Sequence, residues 1–164
     1  MTDFDDVLAA NARYAEDFEL GGLDAVARAG LAIVTCMDSR IDPLHMVGLG
    51  PGDVKILRNA GARVTDDVLR TLVLATHLLG VDRVMVVPHT NCKMASATQE
   101  QIVEVIRDAS GVDAHSLDFG VVHDQRATLL ADVERIKHWP FLPPGVQVGG
   151  FVYDVRSGRL EHVV

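Results

Sequence analysis

The chain has 164 residues, 48% hydrophobic and only 5% aromatic, so we expect one domain over 1–164 with a core built mainly from Val, Leu, Ile and Ala. Its formal net charge of −8, with no cluster of Lys and Arg, argues against a nucleic-acid partner. No apolar stretch approaches the ~20 residues that cross a bilayer, and the N-terminus lacks the basic start and apolar run of a secretory signal, so we expect a cytoplasmic protein with no membrane partner.

The N-terminal segment predicts a helix from Thr2 to Phe18. Its apolar side chains fall on roughly one helical face, and they belong to Phe4, Val7, Leu8, Tyr14, Ala15 and Phe18. Two glycines follow, so residues 1–22 are expected to form a helical arm ahead of the first strand. The apolar face could pack on the chain's own sheet or on a second subunit, and the sequence leaves both open.

Four short runs of aliphatic and β-branched residues predict strands at 31–36, 54–58, 83–88 and 148–155. These runs are apolar on both faces, which is typical of a parallel sheet that helices cover on each side. A fifth segment, 159–163, follows the turn at 157–158 closely. We therefore expect it to form an antiparallel edge strand beside the fourth strand.

Helical patterns separate the predicted strands. Thr65 is a predicted N-cap, Thr98 with Gln101 forms a capping-box pattern, and a further helix is predicted over 121–138. Strands that alternate with helices imply right-handed crossovers. The predicted fold class is therefore α/β, an open and mostly parallel sheet of four strands plus an antiparallel C-terminal edge strand, with helices on both faces and a leading N-terminal helix.

Three side chains that bind soft metals lie near the ends of predicted strands. Cys36 ends the first strand, His89 ends the third, and Cys92 follows at the predicted start of a helix. Ligands of open α/β sheets bind beyond the carboxyl ends of the strands, so these side chains converge if the two strands are neighbours. Zinc prefers thiolate and imidazole ligands, and three protein ligands leave one corner of the tetrahedron for water, as in catalytic sites.

The residues alone also allow other interpretations. Cys36 and Cys92 are the only cysteines and could form a disulfide in an oxidising compartment, although cytosolic thiols are expected to stay reduced. A cysteine that ends a strand is usually a buried small hydrophobe. The spacing of His89 and Cys92 is a weak signal by itself, and it gains weight from Cys36 with Asp38 and Arg40 close behind it.

Three motifs resemble those of the β-class carbonic anhydrases. The run from Cys36 to Arg40 (CMDSR) resembles the CxDSR signature, and the run from His89 to Cys92 (HTNC) resembles HxxC. Residues 58–61 (RNAG) resemble the turn that follows the second strand in that family. The motifs come in the family's order, and the compact length is similar to the short bacterial forms. One departure is Lys93, where the family usually has Gly.

This resemblance implies a zinc lyase, a carbonate dehydratase that reversibly hydrates carbon dioxide to bicarbonate and a proton. It implies one Zn²⁺ per subunit held by Cys36, His89 and Cys92, and a homodimer or a multiple of dimers. It also implies that Asp38 and Arg40 are catalytic, because Asp38 can accept the hydrogen of the hydroxide nucleophile while Arg40 holds Asp38. In some relatives the equivalent Asp moves onto zinc, so Asp38 is a candidate fourth ligand in a closed state.

Other functions remain open on the same residues. A hydrolase of carbonyl sulfide or carbon disulfide could use the same fold and site, and the motifs do not separate these small substrates. A non-catalytic zinc-binding module, closed permanently by Asp38, is a different class, and Lys93 keeps it under consideration. Thiol redox sensing would require an exposed cysteine of low pKa. Among these functions we expect the hydration of carbon dioxide.

Overall fold

The computed structural model describes residues 3–164, and within them the chain forms one sheet and four α-helices. The strands are β1 (Leu31–Cys36), β2 (Val54–Asn59), β3 (Arg83–Val87), β4 (Gln147–Tyr153) and β5 (Leu160–His162). The helices are α1 (Asp5–Glu16), α2 (Asp66–Leu78), α3 (Gln99–Ser110) and α4 (Gln125–Lys137).

The sheet runs in the order β2-β1-β3-β4-β5. Strand β1 pairs in parallel with β2 and with β3, β3 pairs in parallel with β4, and β4 pairs with β5 in the antiparallel direction. The predicted α/β fold class, with a mostly parallel sheet and an antiparallel C-terminal edge strand, is therefore confirmed. Because β1 lies between β2 and β3, the carboxyl ends of the strands that precede the three motifs meet at one edge of the sheet.

The main core lies on one face of the sheet. Val34 of β1, Leu72 of α2 and Val133 of α4 are fully buried in one apolar cluster on that face. The alternate side chains of β1 point the other way, and Ile33 packs there against apolar residues of the segment 44–49. All six residues of β1 are buried, as its continuous apolar run predicts for a central parallel strand.

The predicted helix caps are confirmed. The Thr65 hydroxyl accepts a hydrogen bond from the Val68 amide at 3.4 Å at the start of α2. At the start of α3, Thr98 accepts from the Gln101 amide while the Gln101 side chain accepts from the Thr98 amide, at 3.3 and 2.9 Å. These three bonds satisfy amides that a helix N-terminus would leave without partners.

Two predicted helix starts were placed wrongly. The helix predicted over 121–138 begins only at α4, because the Asp124 side chain caps it by accepting the Ala127 amide at 3.0 Å. The helix predicted to start near Cys92 is only a short 3₁₀ turn, Lys93–Ala95, for which Cys92 is the preceding cap residue. The next α-helix, α3, begins several residues further along the chain.

Helix α1 differs from the other helices because none of its residues is buried. The side chains of Phe4 and Leu8 are 68% and 62% exposed, so the chain's own sheet does not cover the apolar face of this helix. The helix was predicted to start at Thr2, which lies outside the described residues. Over residues 3–164, none of the helices has the length and apolarity that crossing a membrane requires.

Candidate metal centre

The two strands that carry the predicted ligands are neighbours. In the pairing of β1 with β3, Thr35 lies opposite Val87, and the buried Thr35 hydroxyl donates to the Val87 carbonyl at 2.8 Å. Cys36 is the next residue on β1, and His89 lies just beyond the end of β3. The sequence predicts that the three side chains converge if β1 and β3 are neighbours. The two strands are neighbours, so their carboxyl ends leave the sheet side by side.

The backbone beyond β3 holds His89 and turns the chain toward Cys92. His89 is bridged to Tyr153 at the end of β4, and the amide of Thr90 donates to the Tyr153 carbonyl at 2.9 Å. Asn91 then adopts a left-handed conformation with φ of 56°, which Asn tolerates better than most residues. This sharp turn explains how His89 and Cys92, three positions apart, face the same point.

The three predicted ligands come together. The Sγ atoms of Cys36 and Cys92 and a ring nitrogen of His89 all lie within 4.8 Å of one another. The three residues are buried, with exposures of 5%, 4% and 0%. Two sulfurs and one imidazole nitrogen at such separations form a donor set that suits a zinc ion.

One nitrogen of His89 is free to bind a cation. Its Nδ1 lies 2.9 Å from the carbonyl of Thr90, which can only accept, so Nδ1 carries the hydrogen and donates it. This tautomer leaves a lone pair on Nε2, which is buried and has no hydrogen-bond partner. Buried polar atoms almost always have a partner, and a metal ion would supply one here.

The environment of the thiols also fits a metal ion. Burial raises the pKa of the Cys92 thiol above its ordinary value, and the nearby Cys36 raises it further. Two adjacent buried thiolates would repel each other and lack solvation. Without a metal these effects favour the neutral thiols. A divalent cation reverses this preference, because a coordinated thiol is deprotonated outright.

Asp38 and Arg40 form the two-pronged pair that the sequence predicts. The Nε and Nη2 atoms of Arg40 donate to the two carboxylate oxygens of Asp38 at 2.9 and 2.7 Å, and the Arg40 amide also donates to Asp38 at 2.9 Å. These bonds hold the pKa of Asp38 well below its usual range, so the carboxylate is charged. Its Oδ2 lies 3.7 Å from Nε2 of His89, beside the space between the three candidate ligands.

The turn that follows β2 adopts the backbone shape that its sequence suggests. The Asn59 side chain donates to the Arg63 carbonyl at 2.7 Å and accepts the Arg63 amide at 2.8 Å. Gly61 has φ of 81°, and a Cβ there would lie 3.3 Å from Cβ of Met94, next to the candidate centre. The Asn59 side chain thus closes this turn, and neither Asn59 nor Gly61 is among the candidate ligands.

Sequence reasoning missed two polar side chains that contact the backbone of the candidate centre. Arg58 donates to the carbonyls of Cys36 and Asp38, and Gln125 at the start of α4 donates to the carbonyl of His89 at 2.9 Å. The RNAG motif contains Arg58, so the motif was a signal for it. Gln125 could not be predicted, because its acceptor is a backbone carbonyl 36 positions away and no residue type marks such an acceptor in the sequence.

Lys93, the departure from the family pattern, does not disturb the local backbone. It begins the short turn Lys93–Ala95, and the hydroxyl of Ser96 donates to its carbonyl at 3.3 Å. Over residues 3–164, positive φ among residues other than Gly occurs at Ala62 and Asn91. Since Lys93 has no positive φ, this position does not require the conformational freedom of Gly.

The comparisons with known proteins agree with this geometry. The profile of the carbonic anhydrase family matches residues 31–160, which include all three motifs. The chain therefore belongs to the carbonic anhydrase family, in its β class. The predicted membership and the predicted enzyme class, a carbonate dehydratase of the lyases, are confirmed.

Individual relatives align with most of the chain. β-Carbonic anhydrase 1 of Mycobacterium tuberculosis is 37% identical over 167 aligned residues, which cover 99% of each protein. The crystal structure of a carbonic anhydrase from Streptococcus mutans superposes with a TM-score of 0.90 and 36% identity, covering 100% of this chain and 99% of the other. A carbon disulfide hydrolase of Acidithiobacillus thiooxidans is 29% identical over 80% of this chain and 75% of its own length.

Proposed function

We propose that this protein is a zinc enzyme that reversibly hydrates carbon dioxide to bicarbonate and a proton. The proposed ligands are Cys36, His89 and Cys92, with one Zn²⁺ per subunit. The observation that carries the proposal is the buried, unpartnered Nε2 of His89, which lies beside two buried thiols and 3.7 Å from an ionised carboxylate. A cation at this point would bind the imidazole and both thiolates and lie near the carboxylate, and three protein ligands would leave one coordination place for water.

When bound, zinc would lower the pKa of a coordinated water towards ~7 and so provide hydroxide at moderate pH. The charged Asp38 would accept the hydrogen of this nucleophile and so direct the nucleophile's lone pair toward the carbon of the substrate. Arg40 keeps Asp38 in that orientation with two hydrogen bonds, and its Nη2 also donates to the Asn91 carbonyl at 3.2 Å. Arg40 therefore links the loop after β1 to the loop after β3.

The same contacts favour an open site. Asp38 can become a fourth metal ligand only by giving up its two hydrogen bonds to the Arg40 side chain. Charge-assisted bonds of this two-pronged kind are among the stronger ones in proteins, so they oppose the closed state. A zinc-binding module that is permanently closed by Asp38 is therefore the less favoured alternative.

The surroundings of the site suit a small apolar substrate. Cys36 and Cys92 pack in one cluster with Ile41 and Ala62, and partly buried Met94 and Tyr153 lie against it. Identity to the β-carbonic anhydrase of M. tuberculosis is 37% over nearly all of both chains, against 29% over a smaller share for the carbon disulfide hydrolase. The apolar surroundings suit any of these small linear substrates, and the higher identity supports carbon dioxide.

The direct test is stopped-flow hydration of carbon dioxide by the zinc-loaded, reduced protein at neutral and alkaline pH. We expect hydration well above the buffer rate, which a chelator abolishes and added zinc restores. Sulfide release from carbon disulfide and carbonyl sulfide, measured on the same preparation, should be slower. Activity on the sulfur compounds alone would contradict the assigned substrate. No activity on any substrate, with no inhibition or binding by small anions or sulfonamides, would indicate a closed zinc module.

We also propose that residues 1–164 act as one domain and that the arm 1–22 packs on a second copy of the chain, giving a homodimer or a multiple of dimers. The apolar face of α1 supports this, because its own chain leaves it exposed. Leu8→Asp should shift the mass in analytical ultracentrifugation toward a monomer. Ala9→Asp adds the same charge about 100° round the helix and should leave the mass unchanged. Equal masses for both variants and the unmodified protein would contradict the arm's role.

We place the protein in the cytoplasm because the proposed ligands must stay reduced. Disulfides are rare in that compartment, so both thiols would remain available to the metal. Free thiols are first alkylated in intact cells, and the protein is then denatured and its zinc removed before a second alkylation. Both cysteines should react as thiols in one of these two steps. Recovery of a disulfide between Cys36 and Cys92 would contradict this location.

A further inference from the structure

Arg58 contacts the backbone of the candidate metal centre from a neighbouring strand. It lies near the end of β2, where the ladder places it opposite Thr35 and places Asn59 opposite Cys36. Its Nε donates to the carbonyl of Cys36 at 2.9 Å, and its Nη2 donates to the carbonyl of Asp38 at 2.7 Å. One planar guanidinium therefore holds two carbonyls on either side of Met37.

This stretch of chain has few other contacts with the sheet. The Met37 amide donates to the Asn59 carbonyl at 3.0 Å, and the pairing of β1 with β2 ends there. The Met37 side chain is 68% exposed, so it does not anchor the loop by packing. The backbone carbonyl of Asp38 is thus tied to β2 through Arg58 rather than through the ladder.

The pair of Asp38 and Arg40 does not replace this anchor. Both residues belong to the same loop, so their mutual hydrogen bonds fix the shape of the loop without fixing its position on the sheet. Arg40 reaches outside the loop through one bond, to the Asn91 carbonyl at 3.2 Å, and that acceptor belongs to a second loop. The buried side chain of Ile41 holds the far end of the loop. Together with the Met37 amide, the Arg58 side chain joins the near end of the loop to β2, and Arg58 is the link that reaches Asp38.

We propose that Arg58 is a positioning residue that sets the relative placement of the Cys36 sulfur and the Asp38 carboxylate at the metal centre. The inference rests on the proposed function, since it assigns these two groups to one metal site. The forked guanidinium is essential because Lys has a single ammonium and cannot reach two separated carbonyls with the same geometry. Partners that orient ligands in this way typically change metal affinity by about 10- to 100-fold when they are replaced.

The test compares Arg58→Ala and Arg58→Lys with a matched control, Arg83→Ala. Arg83 also donates twice to a backbone carbonyl, that of Ala29, but it lies at the start of β3, the opposite end of the sheet. For each protein we would measure the Kd for zinc by competition with a chromophoric chelator, the visible spectrum of the Co²⁺ form, and the kcat and KM for carbon dioxide. Thermal melts identify any variant that does not fold.

We expect Arg58→Ala to raise the Kd for zinc by about 10-fold or more, to alter the Co²⁺ spectrum and to lower kcat more than it raises KM. Arg58→Lys should fall between Arg58→Ala and the unmodified protein, and it serves as the readout if Arg58→Ala does not fold. Arg83→Ala should keep the original Kd and spectrum. An unchanged Kd and spectrum in both Arg58 variants would overturn the role of Arg58. Absence of zinc binding by the unmodified protein would instead overturn the proposed function.

Discussion

Arg40 determines what Asp38 can do. Its guanidinium occupies both carboxylate oxygens, which fixes the carboxylate and holds the pKa of Asp38 well below its usual range. A protonated Asp38 would lose one acceptor and the attraction of Arg40. The carboxylate is therefore an acceptor in a constant orientation beside the candidate ligands, and not an acid that gives up protons near neutral pH.

Asp38→Asn should abolish most of the activity without removing the metal. The amide keeps the shape of the side chain, but it loses the charge and cannot bind both donors of Arg40. We expect kcat for carbon dioxide hydration to fall by about 10²-fold or more, with the zinc content unchanged. Asp53→Asn is the matched control, because Asp53 is also held by an arginine, Arg28, but precedes β2, at the opposite end of the strand from the candidate ligands. Full activity in Asp38→Asn would remove Asp38 from the mechanism.

The sequence revealed the groups at the centre better than it revealed their supports. Cys36, His89 and Cys92 could be recognised as candidate ligands because zinc favours thiolate and imidazole donors, and open α/β sheets bind their ligands beyond the carboxyl ends of the strands. Arg58 and Gln125 donate to main-chain carbonyls, which every residue has, so no residue type or spacing marks their partners. Such contacts depend on strand register and helix placement, which only the folded chain provides.

Helix starts in this protein depend on side-chain caps. Thr65 and Thr98 are followed at once by helical patterns, so their caps could be predicted, and both occur. Asp124 was overlooked, because the apolar residues 121–122 before it extended the apparent pattern toward the N-terminus. The cap at Asp124 also sets the position of Gln125, which reaches the carbonyl of His89. The capping bond at the start of α4 thus bears on the hydrogen bond to the backbone of the candidate ligand His89.

Thr98→Ala should lower stability without affecting the metal centre. Helix α3 buries only Val103, so little packing compensates for the loss of its capping box. We expect the free energy of unfolding to fall by about 1 kcal/mol in urea titrations, with zinc content and activity unchanged. Thr98→Ser keeps the capping hydroxyl and should retain most of the stability. Equal stability of Thr98→Ala and the unmodified protein would show that this cap contributes nothing.

At the scale of the whole molecule, the sequence predicted how the central strand of the sheet packs. A continuous apolar run predicts a central strand, and β1 is buried along its full length between two parallel neighbours. The environment of α1 could not be predicted, because an amphipathic helix packs equally well on its own sheet or on another copy. In this chain its apolar face is exposed, which leaves it available to a partner.

Acid should weaken the fold partly through Asp53, which joins the segment before β1 to the start of β2. Its pKa is lowered first by the amide of Gly50 and then by the side chain of Arg28. A carboxylate with a lowered folded-state pKa stabilises the fold above its unfolded value of about 3.9, and this contribution disappears as the pH falls through the folded value. Asp53→Asn should therefore lower the Tm at neutral pH. The difference from the unmodified protein should shrink as the pH falls below the unfolded value, and a constant difference would contradict this linkage.

The most direct measurement is the zinc content of the purified, reduced protein and of variants at the three candidate ligands. We predict one zinc per chain, lost in Cys36→Ser, Cys92→Ser and His89→Ala. His45→Ala is the control, since His45 is exposed and pairs with Asp42 outside the centre, and it should keep its zinc. A protein that binds no zinc, or that keeps its zinc without the thiol at 36 or 92, would contradict the metal centre on which the proposed function depends.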